Sequence, residues 1–311
     1  MKISDILKAR NNLLTLADAK PDQLWTDYTG KTTHAVIDHP VLRDRYELDL
    51  NSKLTVLGNT VLDIDRQIQS MIEYCDREIQ SREREYFDRS KTIYNVMNSV
   101  EIVDAIFGKK LSMPQDQFDS VFARVASYSD WRFPALLIRP GIETIVDKML
   151  ASDPLYLLDT RLSLLNPTVA KFVDPFRKRL RLYTCVEDET LLTCLPDKQF
   201  GLAIVWNFFN YRPLPLVLKY LDLLYQKLKP GGIIGFSYND CEHANAAMLV
   251  EQNMACYTPG RLIKQHLTSI GFKIVIEEND QGSFYWLEAQ KPGTLASLRG
   301  GQTLAQIVPK Y

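Results

Sequence analysis

Residues 195–240 read LPDKQFGLAIVWNFFNYRPLPLVLKYLDLLYQKLKPGGIIGFSYND. An acidic turn at Asp197 leads into FGLAIVWN, an unbroken apolar run short enough to be a strand buried on both faces. LPLVLKYLDLLYQKL (214–228) then places Leu214, Val217, Leu221 and Leu224 on one face at spacings of three and four, the pattern of an amphipathic helix. KPGG (229–232) breaks that helix, and IIGFSYND (233–240) is a second apolar strand. Strand, helix, strand is a βαβ unit, whose two strands run parallel.

The same alternation extends in both directions. Upstream come FPALLI (133–138), the helical GIETIVDKMLA (141–151), PLYLLD (154–159), the helical RLSLLNPTVAKFVDPFRKR (161–179) and the strand RLYTCV (181–186). Downstream, the helix PGRLIKQHLTSIG (259–271) closes on Gly271, where a glycine after the last turn belongs. FKIVIEEN (272–279) and SFYWLEAQKP (283–292) follow as strands joined only by DQG, so they are antiparallel to each other. The expected fold class is α/β: a doubly wound, mostly parallel Rossmann-like sheet with a C-terminal antiparallel hairpin, preceded by a mainly α-helical N-terminal region.

That preceding region has its own pattern. Leu54, Leu57, Val61, Ile64, Ile68, Met71 and Cys75 repeat at threes and fours, the a/d seam of a coiled coil. A four-residue stutter then moves the seam to Ile72, Ile79, Tyr86, Ile93 and Val100. The expected organisation is an irregular N-terminal arm over 1–50, a long coiled-coil-like helix over 51–112 ending near Gly108, the α/β domain over 113–292, and a tail over 293–311. The helix Leu54–Val100 is either an α-hairpin packed on its own domain or a stalk for homo-oligomerisation, and assembly with other proteins is a further expectation.

Composition narrows the function classes. The 311 residues are 46% hydrophobic and 24% charged with a net charge of −1, so no excess of Lys and Arg marks a specific nucleic-acid surface. No apolar run approaches the ~18 residues of a membrane span, and the start, MKISDILKARNNLLTL, lacks the apolar core of a signal peptide. The five cysteines are widely spaced with no C-x-x-C pair, which fits a reducing, cytoplasmic setting and neither a zinc site nor a disulfide framework. The four histidines have no metal-ligand spacing.

The order of elements, with LKPGG (228–232) entering the fifth strand and IGF (270–272) preceding the sixth, resembles the class I S-adenosylmethionine-dependent methyltransferases over about residues 125–292. In that family the first strand ends in an acidic residue and a glycine-rich loop, roughly E/D-x-G-x-G-x-G, whose glycines let backbone approach the cofactor. LLIRPGIET (136–144) keeps one glycine, Gly141; Leu137 stands at the acidic position, Arg139 at the first loop glycine and Glu143 at the last. Arg139 fills space that the methionine part of the cofactor uses, or pairs with the cofactor's carboxylate.

The resemblance implies further positions. Asp159, at the tip of the second strand, stands where an acidic residue accepts hydrogen bonds from ribose hydroxyls; its plainer role is to cap the helix starting near Leu162. Asp188 or Glu189 stands where the family's acid reaches the adenine amino group, and Asn207, with Trp206 and Asn210, lies at the crevice end of the fourth strand. Trp206 and Phe208 are equally suited to packing against helices. His243, after the fifth strand, is the weak candidate for a catalytic base. No metal site is expected.

The degenerate loop points to a methyltransferase-fold protein with impaired or lost cofactor binding, acting as an oligomeric structural or assembly component. Phage genomes recycle enzyme folds as structural parts, and by that analogy a virion component is the assembly in view. The alternative is an active transferase using S-adenosylmethionine on an unknown acceptor.

Overall fold

The computed structural model describes residues 2–18, 40–97, 115–139, 143–279 and 285–295. Gly108 and Val100, the expected end of the long helix, lie outside these residues, as does most of the C-terminal tail. The chain divides into two compact units, Met1–Arg84 and Glu85–Tyr311.

The first unit is helical. α1 (Ile3–Asp18) replaces the irregular arm expected there, and α2 (Pro40–Met97) begins earlier than the expected Asn51. The apolar positions Ile3, Ile6, Leu7 and Leu13 follow helical spacing, and Ile3, Ile6 and Leu7 are buried. α1 is tied to α2 by Arg10, whose Nε donates to Asp76 at 2.6 Å. Along α2 the first seam is largely open: Leu57, Ile64 and Met71 are exposed, Val61 and Ile68 half-buried, and Cys75 buried.

The second unit contains the end of α2 from Glu85, then α3 (Gln115–Tyr128), β1 (Ala135–Ile138), α4 (Glu143–Met149), β2 (Leu155–Asp159), α5 (Leu162–Ala170), the one-turn α6 (Asp174–Arg177), β3 (Leu180–Thr184) and β4 (Phe200–Val205). A short 3-10 turn (Phe209–Tyr211) leads to α7 (Leu214–Lys227), β5 (Leu228–Tyr238), α8 (Ala244–Glu251), α9 (Gly260–Ser269), β6 (Lys273–Asn279) and β7 (Tyr285–Gln290).

The seven described strands form one sheet in the order β3-β2-β1-β4-β5-β7-β6. β1 to β5 pair in parallel, while β7 is inserted antiparallel between β5 and β6. β5 starts at Leu228, so LKPGG lies within the strand rather than before it, with a register shift between Phe200 and Leu202 on its neighbour. Gly231 carries this irregular entry at φ +81, a conformation natural to glycine.

Alternation builds two cores. Leu136, Ile138, Ala203 and Val205 face one side, against Val217, Leu221 and Leu224 of α7 and Ile263 and Leu267 of α9. Ala135, Leu137, Leu202 and Ile204 face the other, against Val121 and Val125 of α3 and Ile145, Val146 and Met149 of α4. With both faces covered, β1, β2 and β4 are buried along their whole length, which is why they read as continuous apolar runs.

The second half of the expected seam is used inside this unit. Tyr86 and Ile93 are buried, and Tyr86 meets the ring of Tyr257 edge-on at 5.4 Å. Ser90 Oγ accepts the Tyr257 N–H at 2.7 Å, and Arg89 donates to the Glu251 carbonyl at 2.6 Å. These residues are core positions, whereas Leu57, Ile64 and Met71 of the first seam are exposed.

Candidate functional site

In the order β3-β2-β1-β4-β5, connections leave in opposite directions on either side of β1 and β4. The carboxyl ends of those two strands therefore bound the crevice in which open α/β sheets bind ligands. β1 ends at Ile138 and delivers Arg139; β2 ends in Asp159; β4 delivers Trp206, Asn207 and Phe208.

Arg139 adopts φ +58, the left-handed region that non-glycine residues occupy rarely, and its N–H donates to the Leu158 carbonyl at 2.8 Å. Its side chain is 3% exposed. The guanidinium approaches Asp159 with Nε to Oδ2 at 3.5 Å and stands 5.0 Å from the ring centroid of Phe208. Burial pulls its pKa below the ordinary value, and the nearby Asp159 charge only partly offsets this. Asp159 turns its other oxygen, Oδ1, to the Thr160 N–H at 2.6 Å. It does not cap the next helix: Arg161 is at the N-cap of α5 and makes no side-chain cap bond.

Beneath Phe208 lies a second arginine. Arg212, fixed in extended backbone before Pro213, is 2% exposed and stacks its guanidinium on the Phe208 ring, 3.9 Å from the centroid, so Phe208 contacts two cations. Arg212 forms a forked pair with Glu187, Nε to Oε1 at 2.8 Å and Nη2 to Oε2 at 3.1 Å. Tyr220 donates to Glu187 Oε1 at 2.9 Å, and Tyr94, from α2, donates to Oε2 at 2.8 Å. Burial alone lowers the Arg212 pKa, but Glu187 outweighs it, so the guanidinium is held above its ordinary value. The carboxyl ends of β1, β3 and β4 are thus joined by the chain's own charged and aromatic side chains.

No protein-family model and no curated protein sequence matches this chain. Solved structures do. An O-methyltransferase family protein from Burkholderia thailandensis is similar over 66% of this chain and 62% of its own, at 12% identity and a TM-score of 0.49. An S-adenosylmethionine-dependent methyltransferase from Mesorhizobium loti matches over 54% and 96%, at 13% identity and 0.43. One from Aquifex aeolicus matches over 55% and 88%, at 13% identity and 0.42. The fold itself is the Rossmann-like, mostly parallel seven-stranded sheet described above. Likeness at this distance concerns the fold alone.

Within this sheet, the positions expected from the sequence scatter. Arg139 and Asp159 come together, facing each other across the crevice. Gly141 lies outside the described residues. Asp188 is exposed on the β3–β4 connection, where its Oδ1 accepts both the N–H and the hydroxyl of Thr190 at 2.7 Å; those hydrogen bonds hold its carboxyl below the usual range. It serves as a turn cap. Glu189 is exposed beside it. Asn207 is buried in left-handed backbone (φ +44), with its N–H donating to Ser237 Oγ at 2.7 Å. Asn210 accepts the Cys256 N–H on its carbonyl at 2.8 Å. Trp206 packs between Phe122 and Trp286, at 5.4 and 5.6 Å, which is the plain packing role. His243 precedes α8 and stacks on Tyr285 at 4.8 Å.

Glu187, Arg212, Tyr220 and Tyr94 were not singled out from sequence. Glu187 opens the acidic triplet EDE (187–189), in which the two exposed acids drew the attention, and nothing local marks Arg212 in NYRPLP (210–215) as buried. Among the described residues, no cluster of three or more His, Cys, Asp or Glu side chains could hold a metal ion, and no described helix is long and apolar enough to cross a membrane.

Proposed function

We propose that this chain is a methyltransferase-fold protein that no longer uses S-adenosylmethionine and acts through assembly with copies of itself or with other proteins. The reading rests on Arg139. At the first loop-glycine position its backbone keeps the left-handed φ that glycine supplies, so the turn persists. The side chain added there is buried, and lies against Asp159 and Phe208.

Two consequences oppose cofactor binding. A glycine at this point leaves room for a ligand to touch the backbone; an arginine occupies that room. The one acidic side chain placed to receive ribose hydroxyls faces a guanidinium instead, and releasing it would strand both charges in a site almost free of water. The forked Arg212–Glu187 pair and Tyr94 close the crevice further. The half-open apolar seam on α2 is the surface this reading assigns to assembly.

The test is calorimetric titration of the purified chain with S-adenosylmethionine and S-adenosylhomocysteine. The expected result is no heat of binding at millimolar ligand. Micromolar affinity for either compound would overturn the reading and return the crevice to a transferase role.

A further inference from the structure

Resting on the assembly half of that reading, we infer that α2 pairs with a second copy of this chain as an antiparallel seam centred near residue 66, each copy seating the N-terminal half of its seam in the α1–α2 groove of the other. The first unit presents two different halves of one face. Around residues 70–77, α1 lies beside α2 and leaves an apolar groove of about 650 Å³, lined by Ile6, Ala9, Leu13, Met71, Tyr74 and Cys75. Before it, the same face of α2 carries a ridge in which Leu57 and Ile64 are 37% and 50% exposed. A ridge and a groove on the same surface are self-complementary under a two-fold axis, where each copy gives and receives the same contact.

The register follows from the heptad. In an antiparallel pair, a positions oppose d positions. With the axis at residue 66, Ile68 meets Ile64 of the second copy, Met71 meets Val61, and Cys75 meets Leu57. Each of the outer layers sets a large side chain against a small one, which fills space evenly. The parallel alternative stacks valine on valine, cysteine on cysteine and methionine on methionine, setting groove against groove and ridge against ridge, so that like shapes meet.

Gly58 gives independent support. A glycine inside a helix weakens it, and here nothing lies within 4 Å of where its Cβ would stand. The axis sets Gly58 opposite Ile72 of the second copy, where α1 already covers α2, and a side chain there would hold the two copies apart. Asp65 of the two copies approaches near the axis, but it is exposed to water, where screening weakens the repulsion. The face from Leu57 to Cys75 is about 27 Å long at ~1.5 Å per residue, and α1 widens it around residues 70–77.

Disulfide trapping in the full-length chain tests this, using Val61→Cys and Val61→Cys/Met71→Cys, both with Cys75→Ser. Light scattering under reducing conditions is expected to give a dimer. On oxidation, peptide mapping of the double variant should show an inter-chain 61–71 disulfide, and the single variant no 61–61 disulfide. A 61–61 disulfide in the single variant means a parallel pair and overturns this inference while leaving assembly standing. A monomer in light scattering with no 61–71 link overturns self-assembly as well as this inference; the cofactor half of the reading is judged separately by calorimetry.

Discussion

If the crevice is closed by the chain's own charges, the Arg212–Glu187 pair must behave as a buried, coupled unit. Arg212→Met keeps a long apolar side chain over Phe208 and removes only the cation. Glu187, with 6% of its side chain exposed, then loses the forked pair and keeps the hydroxyls of Tyr94 and Tyr220. Breaking a buried pair from one side costs about 3–5 kcal/mol, because a charge is left without its partner. Urea unfolding followed by the fluorescence of the buried Trp206 and Trp286 reads this directly. With a slope near 3 kcal/mol per molar urea, the midpoint should fall by about 1–1.7 M. Glu187→Leu should cost a similar amount, since it strands Arg212. Arg212→Met/Glu187→Leu removes both charges, so it should cost no more than the worse single variant, with a coupling of at least ~2 kcal/mol. Singles that each cost below ~1 kcal/mol, or a double equal to their sum, would show that these charges are solvated and that the crevice is not dry.

Two further predictions concern the rest of the second unit. Tyr128 donates to the buried Glu288 at 2.7 Å; burial first, and then that carboxylate, push its pKa up to about 12. The folded state thus holds a proton that the unfolded chain releases near pH ~10, so stability is full below that pH and is lost as pH rises from about 10 to 12, and Tyr128→Phe should flatten that part of a stability-versus-pH curve. Gly260→Ala would place a Cβ against the carboxylate of Asp240, which is buried and accepts the Gly260 N–H at 2.8 Å; a loss of about 1–3 kcal/mol in urea unfolding is expected, and no loss would show that Asp240 can move.

The fold was legible because its signals are local and repeated. FGLAIVWN and FPALLI are apolar on both faces since each becomes a central strand covered on two sides, and DQG is too short to permit anything but a hairpin between its flanking strands. The departures occur where long-range packing decides. LKPGG reads as a turn, yet it is held in β5 by pairing with β4, with glycine conformations absorbing the irregular entry. The arm over 1–50 reads as irregular because its turn-rich middle obscures the helical spacing of Ile3, Ile6, Leu7 and Leu13. The a/d repeat continues through Tyr86 and Ile93, but period alone cannot say whether a stripe meets a second copy or the chain's own core.

The crevice was legible in what it lacks and not in what fills it. Losing glycines from LLIRPGIET is visible in one sequence, since the physics of backbone approach names the residue type required. What replaced them is not visible, because the partners of Arg139 and Arg212 come from four separate segments: Asp159, Glu187, Phe208 and, through Glu187, Tyr94 of α2. A buried arginine has no local signature; its cost is offset only where tertiary structure brings an acid and a ring to it. The acid that does so, Glu187, lies one residue before Asp188, the one expected to face a ligand. In a strand-to-loop connection one residue's shift reverses the side that a side chain faces. The triplet 187–189 therefore divides into one buried acid that binds the chain to itself and two that stay in water. The carboxylate held by an internal arginine thus stands one position before the acid from which a ligand contact was expected.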